Sequence, residues 1–257
     1  MVVYYQENLI YTVGMKYRLE TIPVIDAFKE DSECPLCILD DKAEKSYVRY
    51  FLGNSVMIPE IRVEVNKTGF CSDHLRKLFD AGEKQPLGLM VHTHLMSFIE
   101  SLKKEQDRIG LHSGTKGGAD RKLRSAVDSY ISVLKNNNRS CMICERIEKR
   151  LKRYSFTILY LWKKEEEFRE KLSSSRGFCF HHLIDVMEMG KEVLRGKLLG
   201  EWVNTILNLQ DKNLRRLEGE ILWYTQKFDC RNDDKPWGTS RDVLKRLIQK
   251  LSGVKLS

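Results

Sequence analysis

Six of the seven cysteines lie in two copies of one pattern, and each copy ends in a histidine. In each copy, 33 or 34 residues separate a C-x-x-C pair from the cysteine of a G-F-C-x-x-H motif. Three thiolates and an imidazole form a complete tetrahedral ligand set for zinc, so the sequence predicts two zinc sites. The predicted ligands are Cys34, Cys37, Cys71 and His74 in the first copy, and Cys141, Cys144, Cys179 and His182 in the second.

The spacing within each motif favours metal binding. The two sulfurs of a C-x-x-C turn converge on one point, and a C-x-x-H that opens a helix presents both side chains on one face. The simplest pairing joins each C-x-x-C to the C-x-x-H of its own copy, and exchange of partners between the copies is the alternative. Because a Cys3His site leaves no open position for a substrate, the predicted role of the metal is structural.

The cysteines and histidines also allow other interpretations. An iron–sulfur cluster or dithiol redox chemistry also uses closely spaced cysteines, although no βαβ pattern of the thioredoxin type surrounds either pair. His181 stands beside His182, but the spacing of the first copy favours His182 as the ligand. No nucleotide-binding loop or hydrolase motif occurs, so the sequence predicts no catalytic residues and leaves enzymatic activity undecided.

Helical periodicity surrounds both motifs. Apolar residues recur at helical spacing directly after each C-x-x-H, and a second helix is predicted over 87–109 and over 196–228. Gly82 and Gly190 occupy equivalent positions in the two copies. The predicted fold is therefore all-α, with two repeated helical modules, each tied by a C-x-x-C…C-x-x-H metal site, and a short extended N-terminal arm.

Breaks in the pattern suggest the domain boundaries. The glycine-rich stretch Gly114-Thr115-Lys116-Gly117-Gly118 interrupts the helical spacing and indicates a linker. The predicted division is an N-terminal extension over 1–14, a first module over 15–110, a linker over 111–120, and a second module with a C-terminal helix over 121–257.

Charge and hydrophobicity restrict the partners. The net charge of +8 makes nucleic acid a possible partner, but basic residues are interleaved with acidic ones, which favours ordinary solvated helix faces. No apolar run has the length of a membrane span, and no secretory signal is evident, so we expect a cytoplasmic protein without membrane contact. A protein partner, its identity unknown, is the preferred expectation.

The chain resembles a known family. The run over 19–28, followed by Cys34-Pro35-Leu36-Cys37 and Gly69-Phe70-Cys71-Ser72-Asp73-His74, is similar to a bacterial family of unknown function with twin C-x-x-C…G-F-C-x-x-H motifs. The resemblance extends from about Met15 to the segment around Pro236-Trp237-Gly238. It supports the domain layout and favours Met15 over Met1 as the start, but implies no activity. The overall prediction is a metal-binding helical protein that acts in interaction or regulation.

Overall fold

The computed structural model describes residues 19–113 and 119–254, and these ranges contain helices and turns but no strand. The all-α prediction is confirmed, whereas the predicted N-terminal arm and the extension over 1–14 lie outside the described residues. The α-helices are α1 (Thr21–Ala27), α2 (Pro35–Leu52), α3 (Pro59–Thr68), α4 (Ser72–Asp80), α5 (Lys84–His112), α6 (Ala119–Arg139), α7 (Met142–Lys164), α8 (Glu166–Ser174), α9 (Phe180–Val193), α10 (Gly196–Gln226) and α11 (Val243–Ser252).

Local sequence signals explain several helix ends. Pro59 begins α3, where its fixed φ suits the first helical position and its missing N–H costs no hydrogen bond. Gly69 ends α3 with a φ of 68°, which a residue with a Cβ rarely adopts. Helices α7 and α8 are separate, since Glu165 has an extended backbone between them.

The helices group into two compact units. Among the described residues, the first unit comprises 19–42 and 149–254, and the second comprises 43–113 and 119–148. The boundaries fall inside α2 and α7, each of which begins in one unit and ends in the other. The sequential division into two modules stays a prediction, and residues 114–118 of its predicted linker lie outside the described part of the chain.

The core of the first unit is built around aromatic side chains. Trp202, which is fully buried, meets Trp162 edge to face with the ring centroids 5.0 Å apart. Phe28 makes similar contacts with Phe168 at 5.1 Å and Phe178 at 6.3 Å. These edge-to-face pairs add about 0.5–1.5 kcal/mol each to the burial of the rings. The tryptophan pair joins α7 to α10, and the two pairs of Phe28 join the end of α1 to α8 and to the turn before α9.

Gly190 makes room for Trp202, so Gly190→Ala is expected to destabilise the protein by about 1–3 kcal/mol. A Cβ at this position would lie 2.3 Å from two atoms of the buried indole. Gly200→Ala, at an exposed site in α10 with open space around it, is the control and is expected to stabilise by up to about 1 kcal/mol. Urea denaturation of both variants measures the difference, and equal effects would contradict this role for Gly190.

The second unit is organised by α3, α5 and α6, with α5 packed against both of the others. Its core includes Phe51 and Phe70, whose ring centroids are 5.3 Å apart, and the buried side chains of Val65, Leu78 and Met90. Phe70 immediately precedes Cys71, so core packing fixes the chain at the point where the C-x-x-H motif begins. None of the helices in the described part of the chain has both the length and the apolar character of a membrane span.

Candidate metal centres

The first unit contains one cluster of predicted ligands, which we call the buried cluster: Cys34, Cys37, Cys179 and His182. His182 Nδ1 lies 3.5, 3.4 and 3.2 Å from the sulfurs of Cys34, Cys37 and Cys179, respectively. The sulfurs of Cys37 and Cys179 are 3.5 Å apart. No side chain of this cluster is more than 5% exposed.

The end of α11 covers the buried cluster. Gly253 adopts a left-handed conformation there, with a φ of 77°. Its carbonyl oxygen lies 3.7 Å from Cys37 Sγ, and a Cβ built on it would lie 3.6 Å from Cys179 Sγ. The C-terminal helix therefore closes the first unit over its cysteines.

The second unit contains the open cluster: Cys71, His74, Cys141 and Cys144. His74 Nδ1 lies 3.2 Å from Cys71 Sγ and 3.3 Å from each sulfur of the C-x-x-C pair. The sulfurs of Cys71 and Cys144 are 3.9 Å apart. Cys141 and His74 are buried, Cys71 is half-buried and Cys144 is exposed.

Both donor sets fit a single tetrahedral ion. With Zn–S and Zn–N bonds of about 2.3 and 2.05 Å, a regular tetrahedron places sulfur about 3.6 Å from nitrogen and about 3.8 Å from another sulfur. The observed separations of 3.2–3.5 Å and 3.5–3.9 Å come close to these edges. Each cluster therefore has the donor type, number and spacing that a zinc ion requires.

The structure corrects the expected pairing of motifs. Each C-x-x-C meets the C-x-x-H of the other copy, although all eight predicted ligand residues do gather into two clusters. The two motifs of the first copy fall in different compact units: Cys34 and Cys37 belong to the first unit, whereas Cys71 and His74 belong to the second.

Helix termini position the ligands. Cys71 and Cys179 are the N-cap residues of α4 and α9, and the histidine of each motif lies in the first turn of that helix. In α9, the backbone N–H of His182 donates to Cys179 Sγ at 3.5 Å. The positive end of a helix dipole favours thiolate over thiol, so these positions suit sulfur ligands.

The clustered groups strongly shift each other's pKa values. Burial alone lowers the pKa of His182, but its hydrogen bonds with Cys179 and Cys37 outweigh burial and raise that pKa to about 10. Hydrogen bonds from Cys34 and Cys37 hold the pKa of Cys179 far below its usual range, while burial raises the pKa of Cys34. Binding of a cation would release the imidazolium proton together with the protons of the thiols, because the ligands bind as neutral imidazole and thiolates.

A carboxylate lies near Nε2 of each histidine but is within hydrogen-bond distance only of His74, and neither carboxylate was predicted from the sequence. In the second unit, His74 Nε2 lies 3.1 Å from Glu44 Oε1, which also accepts a hydrogen bond from Lys77 at 2.6 Å. In the first unit, Asp40 Oδ2 lies 3.9 Å from His182 Nε2, which is buried without a hydrogen-bond partner. A carboxylate at Nε2 fixes the tautomer that turns Nδ1 toward a metal.

Glu44→Gln is expected to weaken zinc binding at the open cluster about tenfold, because the amide holds the Nε2 proton of His74 less strongly. Peptide-level alkylation of Cys141 and Cys144 across a range of buffered zinc concentrations measures the occupancy of this cluster separately. Glu60→Gln, at an exposed position of α3, is the matched control. An unchanged zinc midpoint in Glu44→Gln would contradict the supporting role.

The remaining candidates stay outside the two donor sets. The ring of the exposed His181 contacts the ring of His182 edge to face, with the centroids 5.3 Å apart. His181, His182 and Asp185 form a third group whose possible ligand atoms lie within 4.8 Å of one another. His182, and not His181, directs Nδ1 at the three sulfurs, as the spacing predicted. Cys230 is exposed and lies outside both clusters.

Comparison with known proteins places the chain in a family. The model of a family of unknown function (DUF6062) matches residues 15–257. The chain belongs to this family. The match begins at Met15, where the resemblance was expected to start, and includes both clusters. Searches of curated proteins and of solved structures each found no match.

Proposed function

We propose that this member of the DUF6062 family holds two structural zinc ions, one in each cluster. The observation that carries the proposal is the convergence of three sulfurs and one imidazole nitrogen in each unit, with all donor atoms within 4.8 Å of one another. Zinc prefers this number and type of ligand at these separations. Each ion would join a C-x-x-C helix to a C-x-x-H helix that is distant in sequence.

Convergence on one point also favours a mononuclear site over an iron–sulfur cluster. In a cluster, cysteines bind different iron atoms, and their sulfurs are spread around it. The Sγ atoms of Cys37 and Cys179 are 3.5 Å apart, and those of Cys71 and Cys144 are 3.9 Å apart. These separations suit ligands of one ion. Iron in place of zinc is the alternative that metal analysis must decide.

Metal analysis of anaerobically purified protein tests the proposal. The expected result is two zinc ions per chain, little iron and no visible absorbance. A brown preparation, or a folded chain that holds no metal, would overturn it. Cys230→Ser, which removes the cysteine outside both clusters, is the control and should retain both ions.

The biological role that we propose for this metal-binding helical protein is interaction with another protein. Each cluster already has four donors, so neither leaves an open position for a substrate. Exposed apolar side chains recur every four residues on α5 at Val91, Leu95 and Ile99, which are 37, 50 and 53% exposed. Exposed apolar groups of this kind often mark binding surfaces. Chemical cross-linking in an extract of the source cells should give a discrete product that chelation removes, and an unchanged monomer would contradict this role.

Nucleic-acid binding receives less support. Two basic residues of α7 are engaged in ion pairs, Arg146 with Glu64 at 3.1 Å and Arg153 with Glu20 at 2.7 Å. Their charges are therefore partly compensated within their own units. Steeply salt-dependent binding to DNA or RNA would restore this alternative.

A further inference from the structure

The two clusters have the same donors but differ in access to their sulfurs. In the buried cluster Cys34 and Cys179 are fully buried, and Cys37 is 5% exposed. In the open cluster Cys71 is half-buried and Cys144 is exposed. Oxidants reach a thiolate only where its sulfur is accessible, so the open cluster is the more vulnerable of the two.

The two accessible sulfurs of the open cluster are also neighbours. Cys71 Sγ and Cys144 Sγ lie 3.9 Å apart, whereas Cys141, the third cysteine, is 2% exposed. A disulfide has an S–S bond of about 2.05 Å, so the two sulfurs need to approach by about 2 Å. Both belong to exposed or half-buried side chains, which can make this movement more readily than buried ones.

We propose that the open cluster is an oxidation site at which hydroperoxides convert Cys71 and Cys144 to a disulfide. In the zinc-bound open cluster Cys144 is held as a thiolate ligand, and its sulfur attacks one peroxide oxygen. The O–O bond breaks, and hydroxide leaves as water after taking a proton. Cys71 then attacks the resulting sulfenic acid, the S–S bond forms, and a second hydroxide leaves as water. Two sulfurs together supply the two electrons that reduce one hydrogen peroxide molecule with two protons.

The consequence for the metal rests on the function proposed above. Oxidation removes two of the four donors of the open cluster and leaves only Cys141 and His74, so zinc is released from the second unit. The buried cluster reacts only after local opening of the first unit, which makes its oxidation at least about tenfold slower. Reduction of the disulfide regenerates the ligand set, so the response is reversible.

Hydrogen peroxide treatment of the full-length, zinc-loaded protein tests the proposal. A chromophoric chelator follows zinc release, and peptide mapping after alkylation identifies the oxidised cysteines. We expect one zinc equivalent to leave at least about tenfold faster than the other, together with a Cys71–Cys144 disulfide. Dithiothreitol followed by zinc should restore the original occupancy.

Several outcomes would overturn the proposal: equal release of both equivalents, a first disulfide within the buried cluster, or a Cys141–Cys144 disulfide. Cys71→Ser should instead accumulate a sulfenic acid at Cys144 that a dimedone probe labels, and Cys230→Ser should behave like the unmodified protein. Metal analysis before peroxide addition tests the zinc assignment separately. If no zinc is found, peptide mapping still reports which cysteine is oxidised first.

Discussion

Cys179→Ser is expected to unfold most of the first unit under conditions in which the unmodified protein is stable. Structural zinc contributes about 10–16 kcal/mol of apparent binding free energy, whereas a typical domain is stable by only about 5–15 kcal/mol. Loss of one of four ligands in a fully buried site removes enough of this energy to consume most of that stability. The effect is large because Cys179 also caps α9 and contacts Cys37.

Tryptophan fluorescence provides a direct measurement, because all four tryptophans lie in the first unit: Trp162, Trp202, Trp223 and Trp237. Unfolding of the first unit should shift their emission to longer wavelength. The Cys179→Ser variant should also melt at a lower temperature than the unmodified protein. Strong chelation of the unmodified protein should reproduce this change. A Cys179→Ser variant that keeps native emission and melting in the absence of metal would contradict a structural role.

Cys230→Ser is the matched control for this substitution, since it makes the same chemical change at an exposed cysteine outside both clusters. Surface substitutions of this kind usually change stability by less than about 0.5 kcal/mol. Native emission and an unchanged melting temperature are therefore expected for the control.

The sequence singled out the eight residues that gather into the two clusters, because cysteine and histidine at fixed short spacing are a local signal. The pairing of motifs could not be predicted in this way, because it depends on which distant segments belong to the same compact unit. The pattern at Cys34 and Cys37 is compatible with either C-x-x-H motif.

The repeated glycines show a second limit of sequence reasoning. Gly82 and Gly190 are equivalent in the two copies, yet the structure uses them differently. Gly82 has a φ of 94° and open space around it, whereas Gly190 lies inside α9 and accommodates the indole of Trp202. A shared position in the repeat therefore predicted neither the backbone conformation nor the physical role of each glycine.

The role of Glu33 could not be predicted from the sequence either, because its partners lie more than a hundred residues away in the chain. It is fully buried in the first unit, and Arg216 Nη2 donates to its two carboxylate oxygens at 2.8 and 2.6 Å. Arg176 and Arg246 donate to Oε1 at 3.3 and 3.4 Å. The fully buried Lys250 donates to the backbone carbonyls of Glu33 and Arg176.

Glu33→Gln is accordingly expected to destabilise the first unit by about 3–5 kcal/mol, the usual cost of leaving one side of a buried ion pair uncompensated. The amide keeps the shape of the side chain but removes a buried negative charge that contacts three arginines and lies 3.9 Å from the fully buried Lys250. Burial already lowers the pKa of Lys250, so this site has little capacity for further uncompensated positive charge. Denaturant unfolding followed by tryptophan fluorescence measures the loss.

Glu30→Gln is the matched control, because it removes the same charge at an exposed position instead of a buried one. Glu30 is exposed and pairs with Lys42 at 2.6 Å, so its substitution is expected to cost less than about 1 kcal/mol. A double-mutant cycle with Arg216→Met should give a coupling of about 1.5–3 kcal/mol between positions 33 and 216, since the two groups share two short hydrogen bonds. Equal costs for the two glutamate variants, or additive effects in the cycle, would mean that the carboxylate of Glu33 is not what balances the surrounding arginines.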